Sequence, residues 1–292
     1  MNFTELAHTH KGLFEQFMIE AVSFRSQTHL EEAMRYSLEA GGKRLRPLIL
    51  FAVLEAFRKP VEPAYYYGAA LEMIHTYSLI HDDLPAMDDD DLRRGKPTNH
   101  IKYSEATAIL AGDALLTKAF ELMTRGDASA ETKVMLIKEL AKASGHEGMV
   151  GGQQADMDGE FANLTVEELE SIHARKTGQL IHFAFLAGGT LAEASVETVT
   201  DLEEMAYTLG VAYQIRDDIL DVQGTEEELG KRTGADAKLG KSTYPALLGL
   251  EQANALLTEK LEKALALNRR IKQREETYEE ELLSSFIESL AL

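Results

Sequence analysis

Apolar residues recur at spacings of three and four along most of this chain, the period of a helix that buries one face. The clearest stretches are 104–124 (SEATAILAGDALLTKAFELMT), 129–146, 164–190 and 194–223. Strict alternation, the mark of a half-buried strand, is nearly absent. The prolines, Pro47, Pro60, Pro63, Pro85, Pro97 and Pro245, leave long uninterrupted intervals for helix. Thr28, Ser104, Ser129 and Thr165 are candidate N-caps, and Glu168 completes a capping box with Thr165. Gly41-Gly42, Gly95 and Gly224 are candidate stops or turns. In the segment 275–292, Leu282, Leu283, Phe286, Ile287 and Leu290 form a helical stripe, which predicts a surface helix in place of a disordered tail. No fixed-period repeat or low-complexity linker divides the chain. The pattern predicts one all-α domain over residues 1–292, a single large bundle of roughly ten or more helices.

Composition changes this picture little. A chain of 292 residues with 45% hydrophobic residues can build a sizeable core. It has no cysteine, which excludes disulfides and thiolate metal sites and fits a reducing, cytoplasmic setting. No apolar run is long enough to span a membrane, and the opening MNFTELAHTHKGLFEQ lacks the apolar segment of a signal peptide. The net charge of −19 argues against nucleic acid as a partner. It does not exclude a small anionic substrate, because a local basic cluster can bind one within an acidic protein.

Charge is distributed unevenly. LIHDDLPAMDDDDLRRG (79–95) crowds aspartates together and then reverses sign. A helix beginning near Glu62 places His75, Ser78 or Leu79, and Asp82 on one face. Asp82 and Asp88 are six positions apart, so a regular helix does not align them, but Pro85 disfavours helix at Leu84 and a distorted turn could. Water could solvate such a cluster; converging carboxylates also suit Mg²⁺, a hard cation that keeps waters and binds substrate phosphates. In QIRDDILD (214–221), Gln214, Asp217 or Asp218, and Asp221 share one helical face within an otherwise apolar segment. Carboxylates one turn apart, ~5–6 Å between Cβ atoms, repel unless a cation lies between them. Facing helices carrying such groups can build a metal site in a bundle core.

Two basic stretches accompany the acidic ones. Gly41-Gly42-Lys43-Arg44-Leu45-Arg46-Pro47 carries three cations in four residues, and Arg93-Arg94-Gly95-Lys96 follows the aspartates. Arginine forks match phosphate oxygens and lysine adds a point charge. Lys176-Thr177-Gly178, Lys231 and Lys241 are further candidates, whereas Gln153 and Asp156 in GGQQADMD read as structural. The His81-Asp82 pair could mimic a metal phosphohydrolase, but the other histidines supply no second such arrangement.

Taken in order, GGKRLRP, DDxxxxD followed by LRRG, KTG, QxxDDILD, GKxxGxD and KSTYP resemble the motifs of the trans-isoprenyl diphosphate synthases, over about residues 31–250. The four-residue gap in DDLPAMD is similar to that of bacterial farnesyl diphosphate synthases (geranyltranstransferases) and some geranylgeranyl diphosphate synthases. The resemblance implies an isoprenoid-synthase bundle with a central active-site cavity. It implies a homodimeric prenyltransferase that joins isopentenyl diphosphate head to tail to dimethylallyl and geranyl diphosphates, giving farnesyl diphosphate. Asp82, Asp88, Asp217 and Asp221 would hold Mg²⁺, three ions per site with substrate bound. Arg93, Lys176, Lys231 and Lys241 would contact the allylic diphosphate. Lys43, Arg46, His75 and Arg94 would hold isopentenyl diphosphate, and Thr177 and Gln214 would line the reacting carbons. Tyr77, five residues before Asp82 and so ~7.5 Å back along the helix axis, would floor the product cavity, although it sits ~140° around the helix. The same chemistry could stop at C10 or continue to C20. A non-catalytic partner subunit is disfavoured because both aspartate motifs are intact, and a terpene cyclase would not need GGKRLRP. The closing SFIESLAL lacks the family's polar or basic tail, so closure of the site would rely on other groups.

Overall fold

The structure is a computed structural model that describes residues 1–23, 28–160, 162, 164–223 and 242–292. It bears out the all-α expectation. The helices are α1 (Phe3–Ala21), α2 (His29–Leu38), α3 (Leu45–Ala56), α4 (Tyr65–Asp82), α5 (Asn99–Lys102), α6 (Glu105–Thr124), α7 (Ala130–Ser144), α8 (Met149–Asp158), α9 (Val166–His173), α10 (Gln179–Leu191), α11 (Val196–Gln223), α12 (Tyr244–Leu248), α13 (Leu250–Arg274) and α14 (Glu280–Glu288). The strands are β1 (Leu92–Arg93) and β2 (Lys96–Pro97), an antiparallel pair.

The local signals act as the sequence implies. Thr28 Oγ1 accepts from the Glu31 N–H at 3.3 Å while the Glu31 carboxylate accepts from the Thr28 N–H at 2.7 Å, a complete capping box. Thr165 and Glu168 repeat it, and the Ser104 and Ser129 hydroxyls cap α6 and α7. Two boundaries differ from expectation. The predicted start at Glu62 is a 3₁₀ turn, Glu62–Ala64, with α4 proper beginning at Tyr65. The predicted helix over 164–190 is interrupted by a wider π turn, Ala174–Gly178, that no periodicity announces. Gly224 lies outside the described residues.

The chain divides into two compact units: residues 4–51 with 60–137, and residues 1–3 with 52–59 and 138–292. In the first, α4 packs against α6 and α2 and is buried on nearly every side, from Tyr65 to Ile80, so it is the unit's central helix. Phe14, Phe51 and Tyr65 meet ring to ring beside it, with centroids 5.2–5.6 Å apart, and His10 Nδ1 lies 3.1 Å from the Tyr65 hydroxyl. In the second, α11 packs against α10 and α13. Asp201 on α11 receives Arg270 and Arg274 from α13, the latter at 2.8 Å. The α14 stripe predicted from sequence is buried: Leu282, Leu283, Phe286 and Ile287 face inward.

A buried amide fastens α14. Asn268 Nδ2 donates to the Glu280 carbonyl and the Ser284 hydroxyl, at 2.8 and 2.9 Å, and Asn268 Oδ1 accepts from the Tyr278 hydroxyl. Removing the amide leaves those groups without this partner in a dry site. Asn268→Ala is expected to lower unfolding stability by about 2 kcal/mol or more in denaturant titration. A loss below about 0.5 kcal/mol would show that the amide does not hold the helix.

Candidate active site

The first unit gathers the basic residues singled out from sequence. After α4 ends, the chain doubles back through Leu84-Pro85-Ala86-Met87, and the Asp88 N–H donates to the Asp82 carbonyl at 2.8 Å. That closure joins the backbones of two residues six positions apart, which a continuous helix could not do. The chain then enters the β1–β2 hairpin, whose turn residues Arg94 and Gly95 both take positive φ, 54° and 74°, the backbone form that matches strand twist.

The hairpin is tied to α4 by charge. Arg93 donates through Nε to Asp83 Oδ1 at 2.6 Å, and its Nη2 lies 3.6 Å from Asp90. Asp83 is buried, and burial pushes its carboxyl above the ordinary value, with Arg93 opposing that push. The second aspartate of the motif thus serves as an anchor for Arg93. His81 Nε2 lies 3.1 Å from the Ile109 carbonyl on α6, a packing role that leaves the phosphohydrolase reading without support.

The turn also carries Arg94 onto the 41–44 loop that leads into α3. Its guanidinium donates to the Gly41 carbonyl and lies against Gly42. Glycine is favoured at Gly42 by its φ of +127°, and a Cβ there would also push the Arg94 guanidinium, 2.6 Å away at Cζ, out of its place. His75 is half-buried on α4. Burial pushes its imidazole well below the ordinary value, and the positive charges of Arg46, Arg94, Arg93 and Arg44 push it the same way. His75 is therefore neutral at pH 7, in a field set by four guanidiniums. Lys43 is exposed on the same loop. Arg93 and Arg44 meet carboxylates of the fold, while Arg46 and Arg94 add positive charge beside His75, a setting that suits an anionic ligand.

The second unit assembles the polar face of α11 against the π turn. Lys176 Nζ donates to Asp156 Oδ2 at 2.6 Å. The Thr177 hydroxyl donates to Gln214 Oε1 at 3.3 Å, and Gln214 Nε2 donates to Asp218 Oδ1 at 3.0 Å. Asp218 Oδ2 accepts from the Tyr244 N–H at 3.0 Å, fixing the start of α12. Asp218 is thereby used by the fold. Asp156, Lys176, Gln214, Asp217 and Asp218 line a cavity of about 100 Å³ together with His173. Asp221 is buried, and its Oδ1 has no hydrogen-bond partner among the described residues. The π turn passes so close to α8 that a Cβ at Gly152 would come within 2.2 Å of the Lys176 nitrogen. Lys231 and Lys241 lie outside the described residues.

The donor set fits Mg²⁺. All candidate ligands are oxygens, and Asp221 offers a buried carboxylate oxygen that only a cation or donor could satisfy. Among the described residues no three His, Asp or Glu side chains are assembled into a cage. Asp156 was read from sequence as structural; its pairing with Lys176 puts it in the site. Glu72, an acid within the apolar run of α4, was the legible signal for a buried ion pair: its carboxylate accepts from Arg44 at 2.8 Å.

Residues 27–282 match the family model described as polyprenyl synthetase. The chain is similar to the farnesyl diphosphate synthase of Bacillus subtilis, 52% identical over 90% of each chain. It is 44% identical to a geranylgeranyl diphosphate synthase of Cyanophora paradoxa, over 90% of this chain and 91% of the relative. Among solved structures, a geranyltransferase from Helicobacter pylori complexed with magnesium and isoprenyl diphosphate superposes with a TM-score of 0.84 at 33% identity, covering 99% of this chain and 96% of that one.

Tyr77 is buried on α4, and burial, then the nearby Asp82, pushes its phenol up to about 12. A phenol harder to ionise folded than unfolded contributes stability that is full below pH 10 and lost as pH rises towards 12. Between those pH values the parent protein is expected to lose on the order of 2 kcal/mol more stability than Tyr77→Phe. Parallel stability curves for the two would contradict that environment for Tyr77.

Proposed function

Because the chain belongs to the polyprenyl synthetase family, we propose that it joins isopentenyl diphosphate head to tail (1′–4) to dimethylallyl and then geranyl diphosphate, releasing diphosphate and forming farnesyl diphosphate. The feature that supports this reading is the positive field of Arg46 and Arg94 at His75, inside a protein of net charge −19. Family membership supplies the reaction and the field supplies the reason for a diphosphate.

The reaction breaks an allylic C–O bond, leaving an organic cation and a diphosphate anion. Bound Mg²⁺ supplies positive charge for the leaving diphosphate. In our assignment Asp82 and Asp88 hold metal in the first unit, and Asp217 and Asp221 hold it in the second, with three ions per active site once substrate is present. Arg93 grips Asp83 with one edge of its guanidinium and would turn the other to the allylic diphosphate. Lys176, Lys231 and Lys241 would add charge there. Lys43, Arg46, His75 and Arg94 would hold isopentenyl diphosphate; its anionic charge would in turn relieve the repulsion among the arginines. Thr177 and Gln214, already linked at 3.3 Å, would offer oxygen dipoles to the organic cation without a strong nucleophile. The isopentenyl double bond attacks, and the proton it loses passes to the departing diphosphate, so no side-chain base is needed. Holding both anionic substrates in line supplies much of the remaining acceleration.

Tyr77, buried at 6% exposure, would floor the growing chain and stop it at C15. The two units would work as one synthase domain, since the family match runs through both. We assign the enzyme to the cytoplasm as a homodimer. The absence, among the described residues, of any helix long and apolar enough to cross a membrane accords with the first part. The second part follows from the family resemblance.

Purified protein given geranyl diphosphate, labelled isopentenyl diphosphate and Mg²⁺ is expected to form a predominantly C15 alcohol after dephosphorylation. A C20 product would keep the chemistry and overturn Tyr77 as the floor, in line with the geranylgeranyl relative. No condensation by folded protein would sink the enzyme reading. Chelation with EDTA is expected to abolish turnover and added Mg²⁺ to restore it. Tyr77→Ala is expected to lengthen the product by at least one C5 unit; an unchanged C15 product would locate the floor elsewhere.

A further inference from the structure

The cations of residues 43–46, where the 41–44 loop runs into α3, are not equivalent. Lys43 is exposed, whereas Arg44 is 3% exposed and turned inward on a backbone with φ +51°, a left-handed form that a non-glycine residue rarely takes. Each nitrogen of its guanidinium donates to a protein oxygen. Nε reaches Glu15 at 2.9 Å, Nη1 reaches Glu72 at 2.8 Å, and Nη2 reaches the Leu38 carbonyl. Glu72 is itself 2% exposed. Two buried charges this close neutralise one another, so together they add little to the field acting on a ligand. What they impose is geometry. Glu72 sits one helical turn before His75 on α4, so the pair ties the loop to the same stretch of helix that presents the imidazole. Arg94 holds the other side of the loop through Gly41.

Resting on the prenyl-transfer reading above, we propose that the buried Arg44–Glu72 pair, steadied by Glu15, is a positioning device that sets Lys43 and Arg46 for isopentenyl diphosphate without touching it. A lysine at position 44 keeps the charge but cannot reproduce a three-way planar fork, so it separates placement from charge. The small displacement it permits at the loop acts on one substrate.

Steady-state kinetics of Arg44→Lys, varying each substrate in turn, test the proposal. The expected result is a KM for isopentenyl diphosphate raised about tenfold, with the KM for geranyl diphosphate and kcat at saturation each within about twofold of the parent. Glu15→Gln changes a partner at the solvent edge, so it keeps the fold even if Arg44→Lys does not. It is expected to show the same selectivity at about threefold. Lowered thermal stability with both KM values unchanged would assign the pair to the fold alone and overturn the proposal. Equal rises in both KM values, or a collapse of kcat, would overturn it as well. A parent enzyme that performs no condensation would instead remove the function on which the proposal rests.

Discussion

Charge that is gathered must also be partnered, and this constraint organises both units. In the first, arginines from the 41–44 loop, the start of α3 and the hairpin act on His75 while aspartates crowd the end of α4. The fold neutralises part of each set internally: Asp83 takes Arg93, and Glu72 with Glu15 takes Arg44. Beside these internal pairs, Arg46 and Arg94 bring positive charge to a neutral imidazole, and Asp82 and Asp88 are joined through their backbones along a closed turn. Without the internal pairs the same residues would spread into solvent.

The second unit meets the same requirement with hydrogen bonds. Thr177, Gln214, Asp218 and the Tyr244 N–H form one continuous chain, so Gln214 is held from both sides and its amide orientation is set. The π turn widens the backbone where Lys176 and Thr177 must leave it together, and the missing Cβ at Gly152 lets α8 bring Asp156 against Lys176. Lys176, paired at 2.6 Å, is held in place by the fold itself. Asp221, on α11, keeps one buried carboxylate oxygen without a partner among the described residues.

Much of this was legible in the sequence. Helical periodicity together with the caps at Thr28, Ser104, Ser129 and Thr165 foretold the helices closely, because capping and amphipathicity are local and short-ranged. The motifs DDxxxxD, GGKRLRP, KTG and QxxDDILD, taken in order, pointed to a family by resemblance, and through it to a reaction; their residue types alone suit metal and diphosphate but also a solvated surface. Other features could not be read. The π turn depends on packing against α8, and the choice between Asp217 and Asp218 depends on which carboxylate α12 claims.

The sequence by itself thus determined most of the helices and the inventory of charged groups, because periodicity and caps are properties of residues and their near neighbours, while the reaction class followed from the resemblance that the ordered motifs carry. Only the tertiary structure decided how that inventory is divided. Arg44 and Arg46 stand two positions apart and look alike in the sequence, yet one is buried among Glu15, Glu72 and the Leu38 carbonyl while the other adds its charge at His75. The reason is physical. Whether a charge serves the fold or a ligand depends on the oxygens that reach it from distant parts of the chain, and those are brought near only by packing.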